Sequence, residues 1–307
     1  FRFRIGTRTV ARSQFTMSLP VRRDFRLIHR LRVRWAEVDL QRIVFNPHYL
    51  MYIDTAFTEY WRALAIPYEL IPQTLGGDLY VKKSILEYHG SARLDDLLDI
   101  GIQCARIGTS SMVFRAGIFR NEVLLVTGEL VYVFADPATQ KSKPVPDALR
   151  KLLLSYEAGV STMDVRVGGW EEMGAQARAL RQQVFVDELG IAHGLDHDAA
   201  DEGAVHALVC NHLGHALATG RLVQEGPALA RITRVAVTRS MRSTGFGRQV
   251  MQVLMQLAAE RGDTRVVLQS QCSAEGFYAR LGFMPMGEPY AQAGILHVDM
   301  ARQLERL

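Results

Sequence analysis

One change of period constrains this chain more than any other feature. Residues 47–64 repeat their apolar side chains at helical spacing. Four runs of strand length follow, 80–88, 97–106, 110–120 and 124–135, separated by turn signals at Gly90, Gly108 and Asn121. Parallel strands need a crossover segment between them, and these runs have only turns. One helix followed by successive strands therefore predicts an antiparallel sheet packed on that helix, an α+β plan. Residues 25–33, in which apolar and basic residues alternate, add a strand ahead of the helix. Pro144 and Pro146 close the sheet, and Asp147–Glu157 reads as a short helix capped by Asp147.

After the small, polar stretch 158–162 the grammar changes. A helix at 171–189, strands near 204–211, 215–223 and 230–237, a helix at 247–261, a strand at 265–269, a helix at 273–281 and a final strand ending at Met300 succeed one another. No repeat relates this half to the first. A length of 307 residues suits two domains. The expected division is 17–157, a linker at 158–162, and 163–307. Residues 1–16 begin with Phe1, lack amphipathic periodicity and precede Met17. They read as a non-native or disordered extension, although an Arg-rich, acid-free segment is also the composition of a mitochondrial transit peptide.

With 48% hydrophobic and 22% charged residues, the chain can fill two cores. Its formal net charge of +4 hints at nucleic acid only until it is divided along the chain. Residues 1–23 carry six arginines and no acid, residues 24–157 carry 16 basic and 16 acidic groups, and residues 158–307 carry 14 and 16. Neither half offers the basic face that a nucleic-acid binder needs. The most apolar run, 123–135, falls short of the roughly 18 residues of a membrane span and contains Glu129, so no transmembrane role is expected. Cys104, Cys210 and Cys272 form neither a disulfide framework nor a zinc pattern. No metal is expected, and the cytoplasm is the expected compartment.

Asn46 and Pro47 are suited to open the first helix, as N-cap and first-turn proline. Its free N–H groups and positive dipole end then face whatever precedes it. Asp39, seven positions upstream of Asn46, can face the same point across a short loop. A carboxylate opposite backbone donors suits acyl transfer: the donors stabilise an oxyanion at a thioester carbonyl while the carboxylate attacks it or activates water. An aspartate before a helix also serves simply to shape a loop.

Asp39, Ile43, Val44, Phe45, Asn46 and Tyr49 resemble the active-site loop of hotdog-fold acyl-CoA thioesterases of the hydroxybenzoyl-CoA and YbgC-like type. Residues 92–96 and Gly108 to Ser111 resemble that family's second- and third-strand segments, and the likeness spans about 22–150. It implies Asp39 as the catalytic carboxylate, with Asn46, His48 and Tyr49 beside it. It also implies Ser110 and Ser111 as ligand contacts, and an active site at a subunit interface of a homodimer or homotetramer. His48 equally reads as a helix-surface histidine, and a Ser/Thr turn needs no function. One departure stands out: Arg42 occupies the family's loop glycine, where a positive φ is cheap only for glycine. Arg42 changes the loop's path, turns toward a CoA phosphate, or is merely exposed.

In the second half, the strand 230–237 leads through Arg242, Ser243, Thr244, Gly245, Phe246 and Gly247 into a helix. Glycines admit a ligand close to the backbone, and N–H groups at a helix N-terminus suit a pyrophosphate. Alone this signal is weak; strand before and helix after strengthen it. Together with Phe277, Tyr278, Leu281, Gly282 and Phe283 the segment resembles the acetyl-CoA core of GNAT N-acetyltransferases. Val184 to Val186, Gln269, Gln271, Tyr290, His297 and Asp299 are similar to the ElaA-like branch. The likeness spans about 163–307. It implies that the backbone of Val235, Ala236 and Val237 binds the pantetheine arm and thioester oxygen, that Arg242 to Gly247 with Arg248 holds the pyrophosphate, and that Tyr278 protonates the departing thiolate. Tyr278 reads otherwise as a core tyrosine. The base that takes the amine's proton is not fixed; Glu202, His206 and His297 are candidates. His193, Asp196, His197 and Asp198 read as an exposed acidic loop near the acceptor rather than as metal ligands.

Both halves thus point to one substrate family. The expected fold is an N-terminal hotdog domain followed by a GNAT domain of mixed sheet with flanking helices. The expected protein uses acyl-CoA and acetyl-CoA as substrates, with no tightly bound cofactor. Its first half hydrolyses an acyl- or aryl-CoA, and its second acetylates an amine. The alternative makes one half, the hotdog half first, a CoA-binding or oligomerisation module without chemistry.

Overall fold

A computed structural model describes residues 19–192, 194, 197–292 and 294–305. The extension 1–16, Met17 and, in the acidic loop, His193 and Asp196 lie outside the described residues. The first domain runs β1 (Leu27–Arg32), α1 (Pro47–Ala63), α2 (Ile71–Leu75), β2 (Asp78–Tyr88), β3 (Leu97–Ile107), β4 (Ser111–Arg120), β5 (Val123–Ala135) and α3 (Asp147–Glu157). Its five strands form one antiparallel sheet in the order β1-β3-β4-β5-β2. The sheet wraps α1, which buries Tyr52, Ile53, Ala56, Phe57, Tyr60 and Trp61 at helical spacing. The Phe57 ring stacks on Tyr132 of β5 with centroids 4.4 Å apart. Gly101 of β3 has a packing reason: a Cβ there would lie 2.3 Å from the Phe25 ring, so only glycine leaves room for that side chain.

The expectation that Asp147 caps α3 is corrected. Pro146 holds the N-cap position, and Asp147 sits in the first turn, where its charge still complements the helix dipole.

The second domain runs β6 (Met163–Gly168), α4 (Trp170–Arg181), a π-helical stretch Gln182–Glu188, β7 (Val205–Asn211), β8 (Ala216–Gly226), β9 (Leu229–Val237), α5 (Phe246–Arg261), β10 (Arg265–Gln271), α6 (Glu275–Ala279), β11 (Met284–Gln292) and β12 (Ile295–Gln303). Seven strands form a mixed sheet in the order β11-β12-β10-β9-β8-β7-β6, in which β9 and β10 pair in parallel. The helix expected at 171–189 is therefore two pieces. Sequence periodicity does not reveal β6 and β11, the two edge strands. Both are largely exposed, so neither has a buried face to imprint alternation.

The two domains dock through the end of α1. Ala65, in left-handed conformation at φ 58°, is buried in the core of the second domain. Its carbonyl accepts from Asn211 Nδ2 at 2.8 Å. The Ala63 carbonyl accepts from Thr162 Oγ1 at 3.2 Å, and Thr74 Oγ1 lies 3.1 Å from His215 Nε2.

Candidate functional sites

Asp39 sits at the head of a tight turn. Its N–H donates to the Ile43 carbonyl and the Arg42 N–H to its own carbonyl, both at 2.9 Å, while a bridge pairs Val38 with Val44. The Gln41 N–H donates to Asp39 Oδ1 at 2.8 Å. Arg42 takes φ 61°, so the backbone keeps the path that a glycine would give it, and the side chain is exposed.

Below the turn, Glu37 is 3% exposed and accepts from Tyr52 Oη at 2.6 Å, from the Arg34 N–H at 2.7 Å and from Arg34 Nε at 2.6 Å. Burial pushes this carboxyl upward, yet these donors together hold it below the usual carboxylate range. Glu37 anchors the segment that carries Asp39. Sequence reasoning passed over it, since a single glutamate between apolar residues carries no spacing signal.

Asn46 is not the side-chain cap expected of it. It is helical, at φ −51° and ψ −36°, and makes no capping bond. The turn is closed instead by the His48 N–H to the Phe45 carbonyl at 2.9 Å and the Tyr49 N–H to the Asn46 carbonyl at 3.3 Å. Among the described residues, the Asn46 backbone N–H finds no acceptor, and its side chain is exposed. That N–H is the donor left at the positive end of α1. His48 is half-buried, with its ring edge-on to Phe45. Tyr49 lies in the core, where its hydroxyl oxygen accepts from the Ala92 N–H at 2.8 Å. It ties α1 to Ala92, whose carbonyl in turn accepts from the Val44 N–H at 2.9 Å.

Ser110 and Ser111 are not brought to Asp39 within one chain. Ser111 pairs with Val133 and Asp78 with Ala135, at one end of the sheet. Tyr88, whose hydroxyl reaches the Asn46 carbonyl at 3.4 Å, lies at the other. The two ends are separated by the length of β2, about 30 Å at strand rise.

In the second domain β9 and β10 pair only from Leu229–Arg265 to Arg231–Val267 and then part. A bulge marks the parting: between Thr219 and Arg221 of β8, β9 runs from Ala236 to Thr233 with one extra residue, and Arg234 takes φ 55°. Val235 and Val237 lie along the opened edge. Ala236 is buried against Leu180 and Val184. Ser243 and Gly245 have φ of 67° and 94°, and Gly245 is the N-cap of α5. Phe246 is buried in the core, Gly247 faces Val237 and Phe277, and Arg248 is exposed. Thr244 Oγ1 donates to the Met241 carbonyl at 2.6 Å. Arg242 is held by Glu188 through two bonds of 2.7 Å, a partner that the sequence did not suggest.

Tyr278 is 9% exposed, edge-on to Phe277 and Phe283. Burial pushes its phenol up to about 12, so it stays protonated at neutral pH.

Of the base candidates, His206 is fully buried against Trp170. Its ring nitrogens are engaged by Arg181 Nη2 at 3.1 Å and the Asp201 carbonyl at 2.9 Å. Burial lowers its pKa, and its place is structural. Glu202 is exposed. His297 is half-buried on β12, with Nδ1 2.9 Å from the Ile295 carbonyl and its ring beside Tyr290. Tyr290 Oη accepts from Gln269 at 2.5 Å and donates to Asp299 at 3.0 Å, so the motif residues of three strands meet.

In the expected acidic loop Asp198 is exposed, as read, but it is not free. This carboxylate bridges Arg221, at 2.6 and 3.1 Å, and Arg234, at 2.9 Å. Among the described residues, no three His, Cys, Asp or Glu side chains converge in a metal-holding group, and no helix is long and apolar enough to cross a membrane.

Comparison with known proteins follows the same division. The thioesterase superfamily profile matches residues 41–127, and the GNAT acetyltransferase domain profile matches 175–304. A UPF0039 protein of Schizosaccharomyces pombe is 32% identical over 127 residues, which are 41% of this chain and 84% of that protein. Escherichia coli ElaA is similar in structure, with 25% identity and a TM-score of 0.42, covering 46% of this chain and 99% of ElaA. A Thermus thermophilus thioesterase solved with coenzyme A and Zn has 22% identity and a TM-score of 0.40, covering 44% of this chain and 96% of that one.

Proposed function

The chain belongs to two families, the thioesterase superfamily in its hotdog half and the GNAT acetyltransferases in its C-terminal half, and on that premise we propose that it is a bifunctional acyl-CoA enzyme. The observation that carries the reading is the parting of β9 from β10 beside the N-terminus of α5, whose backbone N–H groups are suited to an anion.

In the transferase half, the backbone along Val235 and Val237 holds the pantetheine arm, and the N–H groups from Ser243 to Gly247 take the pyrophosphate. A neutral amine attacks the acetyl carbon and the C–S bond breaks. The CoA sulfur leaves as a thiolate, to which Tyr278 gives its proton. The amine's proton leaves through a base, for which His297 is the candidate on the open side of the sheet.

In the hotdog half, Asp39 either attacks the thioester carbon or draws a proton from the attacking water. The Asn46 N–H and the dipole of α1 stabilise the oxyanion. The products are a carboxylic acid and CoA. Exposed apolar side chains around this turn, Trp35 at 81% and Leu40 at 103%, with Val81, Ile85 and Tyr88 on edge strand β2, favour a dimer through β2. Antiparallel pairing of two β2 strands carries Ser110 and Ser111 of the partner subunit toward Asp39, which gives those serines a place in a shared site.

Hydrolysis of an acyl-CoA panel by wild type and Asp39→Asn tests the hotdog half. Wild-type turnover no faster than the variant's across the panel ends the thioesterase reading and leaves a CoA-binding module. The transferase half is tested by CoA release from acetyl-CoA in the presence of an amine panel.

A further inference from the structure

The loop that precedes α5 is held from outside its own domain. Arg62, near the C-terminus of α1 in the hotdog half, donates its Nε–H to the Ser240 carbonyl at 3.1 Å. Ser240 Oγ in turn donates to Glu69 Oε1, also of the hotdog half, at 2.6 Å. Arg62 is itself aimed by an ion pair with Glu59, one turn back on the same helix. The loop needs such support. Ser243 is a non-glycine residue in the left-handed region, a conformation that persists only where the surroundings impose it. An open pocket of about 360 Å³ lies beside it, lined by His29, Glu59 and Arg62 of the first domain and Ser243, Thr244 and Phe246 of the second. Met241 and Phe246 pack into the core of the second domain at the two ends of the loop, and the exposed stretch at Ser243 between them faces this pocket, so its position also draws on the discrete bonds at Ser240, Met241 and Arg242. Those at Ser240 come from the hotdog half.

We propose that Arg62 and Glu69 are positioning residues for the CoA-phosphate loop of the transferase, so that the hotdog half sets the affinity of the other half for acetyl-CoA. This rests on the reading of Ser243 to Gly247 as the pyrophosphate site. The docking of α1 is then more than tethering. Without it, the loop loses both Ser240 anchors, and part of the binding free energy of CoA goes into ordering it.

Hydrogen exchange of peptides spanning 239–250, read by mass spectrometry on the full chain over a titration of CoA, tests this at the one site concerned. In wild type, CoA protects the segment. In Arg62→Ala the segment exchanges faster without ligand, and the CoA concentration for half-protection rises roughly fivefold, the scale of one ordinary net hydrogen bond. Arg62→Lys, which keeps the charge and a donor, recovers part of the loss, and Glu69→Gln shows a smaller shift of the same sign. Peptides spanning 97–120 keep their protection in all variants, which separates loop positioning from unfolding. If Arg62→Ala loses protection in 97–120, Glu69→Gln alone decides. Half-protection unchanged in the folded variants overturns the proposal. If CoA leaves 239–250 unprotected in wild type, the pyrophosphate reading itself is wrong.

Discussion

The hydroxyl of Tyr52 donates to the buried carboxylate of Glu37 at 2.6 Å, and this bond ties the middle of α1 to the segment that ends two residues later in Asp39. The helix therefore meets the candidate hotdog site at two points, its N-terminus and this side-chain anchor.

Tyr52→Phe removes a donor from a carboxylate that water does not reach. The expected cost is about 1–3 kcal/mol of unfolding free energy, measured by urea titration. Glu37 is held below its usual range, so its contribution is present above the unfolded value of about 4.3 and is lost as pH falls through the lower folded value. In Tyr52→Phe the acid loss begins at higher pH. A variant with the wild-type midpoint and acid limb would show the bond to be idle.

Arg42 has the backbone of a glycine without being one. Relief of left-handed strain in Arg42→Gly, worth about 1–2 kcal/mol, is largely offset by the entropy that glycine gains in the unfolded chain. The expected stability change lies within about 1 kcal/mol, with acyl-CoA hydrolysis retained. Arg42→Val, β-branched at the same φ, is expected to lose stability and turnover together. Equal melting temperatures for the two variants would place the strain elsewhere.

The order of elements was legible because α1 and the strands β3 to β5 each bury a face, and burial writes a period into sequence. The edge strands β6 and β11 bury little and left none. At the sites, Asp39, Gly245 and Tyr278 stood out by residue type and spacing. Glu37, Arg62 and Glu188 did not, because each acts through a partner distant in sequence or by a contact no motif encodes: Tyr52, Ser240 and Arg242. Asn46 was read as a side-chain cap from its type alone, whereas the turn closed by backbone bonds leaves its N–H, not its amide, at the helix end. Ser110 and Ser111 fall at the far end of the sheet from Asp39 within one chain, which a motif match along the sequence does not register.

Asp198 carries the clearest acid sensitivity of the second domain. Hydrogen bonds from Arg221 and then Arg234 outweigh its partial burial and bring its carboxyl down to about 2. Its stabilising contribution is therefore complete above the unfolded value of about 3.9 and is lost as pH falls toward 2. Thermal melts of wild type and Asp198→Asn between pH 2 and 6 should converge at the acid end and separate above pH 4, with the variant lower. Parallel curves would mean that the arginine pair does not depend on this carboxylate.

Tyr278 supplies the last prediction. Its hydroxyl stands among Phe277 and Phe283, and burial holds the phenol near 12, well above its ordinary value of about 10. A donor that stays protonated contributes equally from pH 6 to 10, so an alkaline fall in transfer within that window belongs to another group. Tyr278→Phe keeps the ring packing and removes only the proton. Loss of a positioned acid reduces turnover on the order of 10²-fold, while CoA affinity, which the proposed function assigns to the loop at Ser243 to Gly247, is expected to change little. Steady-state CoA release with an amine panel, alongside direct CoA binding, separates the two quantities. A drop in affinity with unchanged turnover would reassign Tyr278 from proton donor to pocket wall.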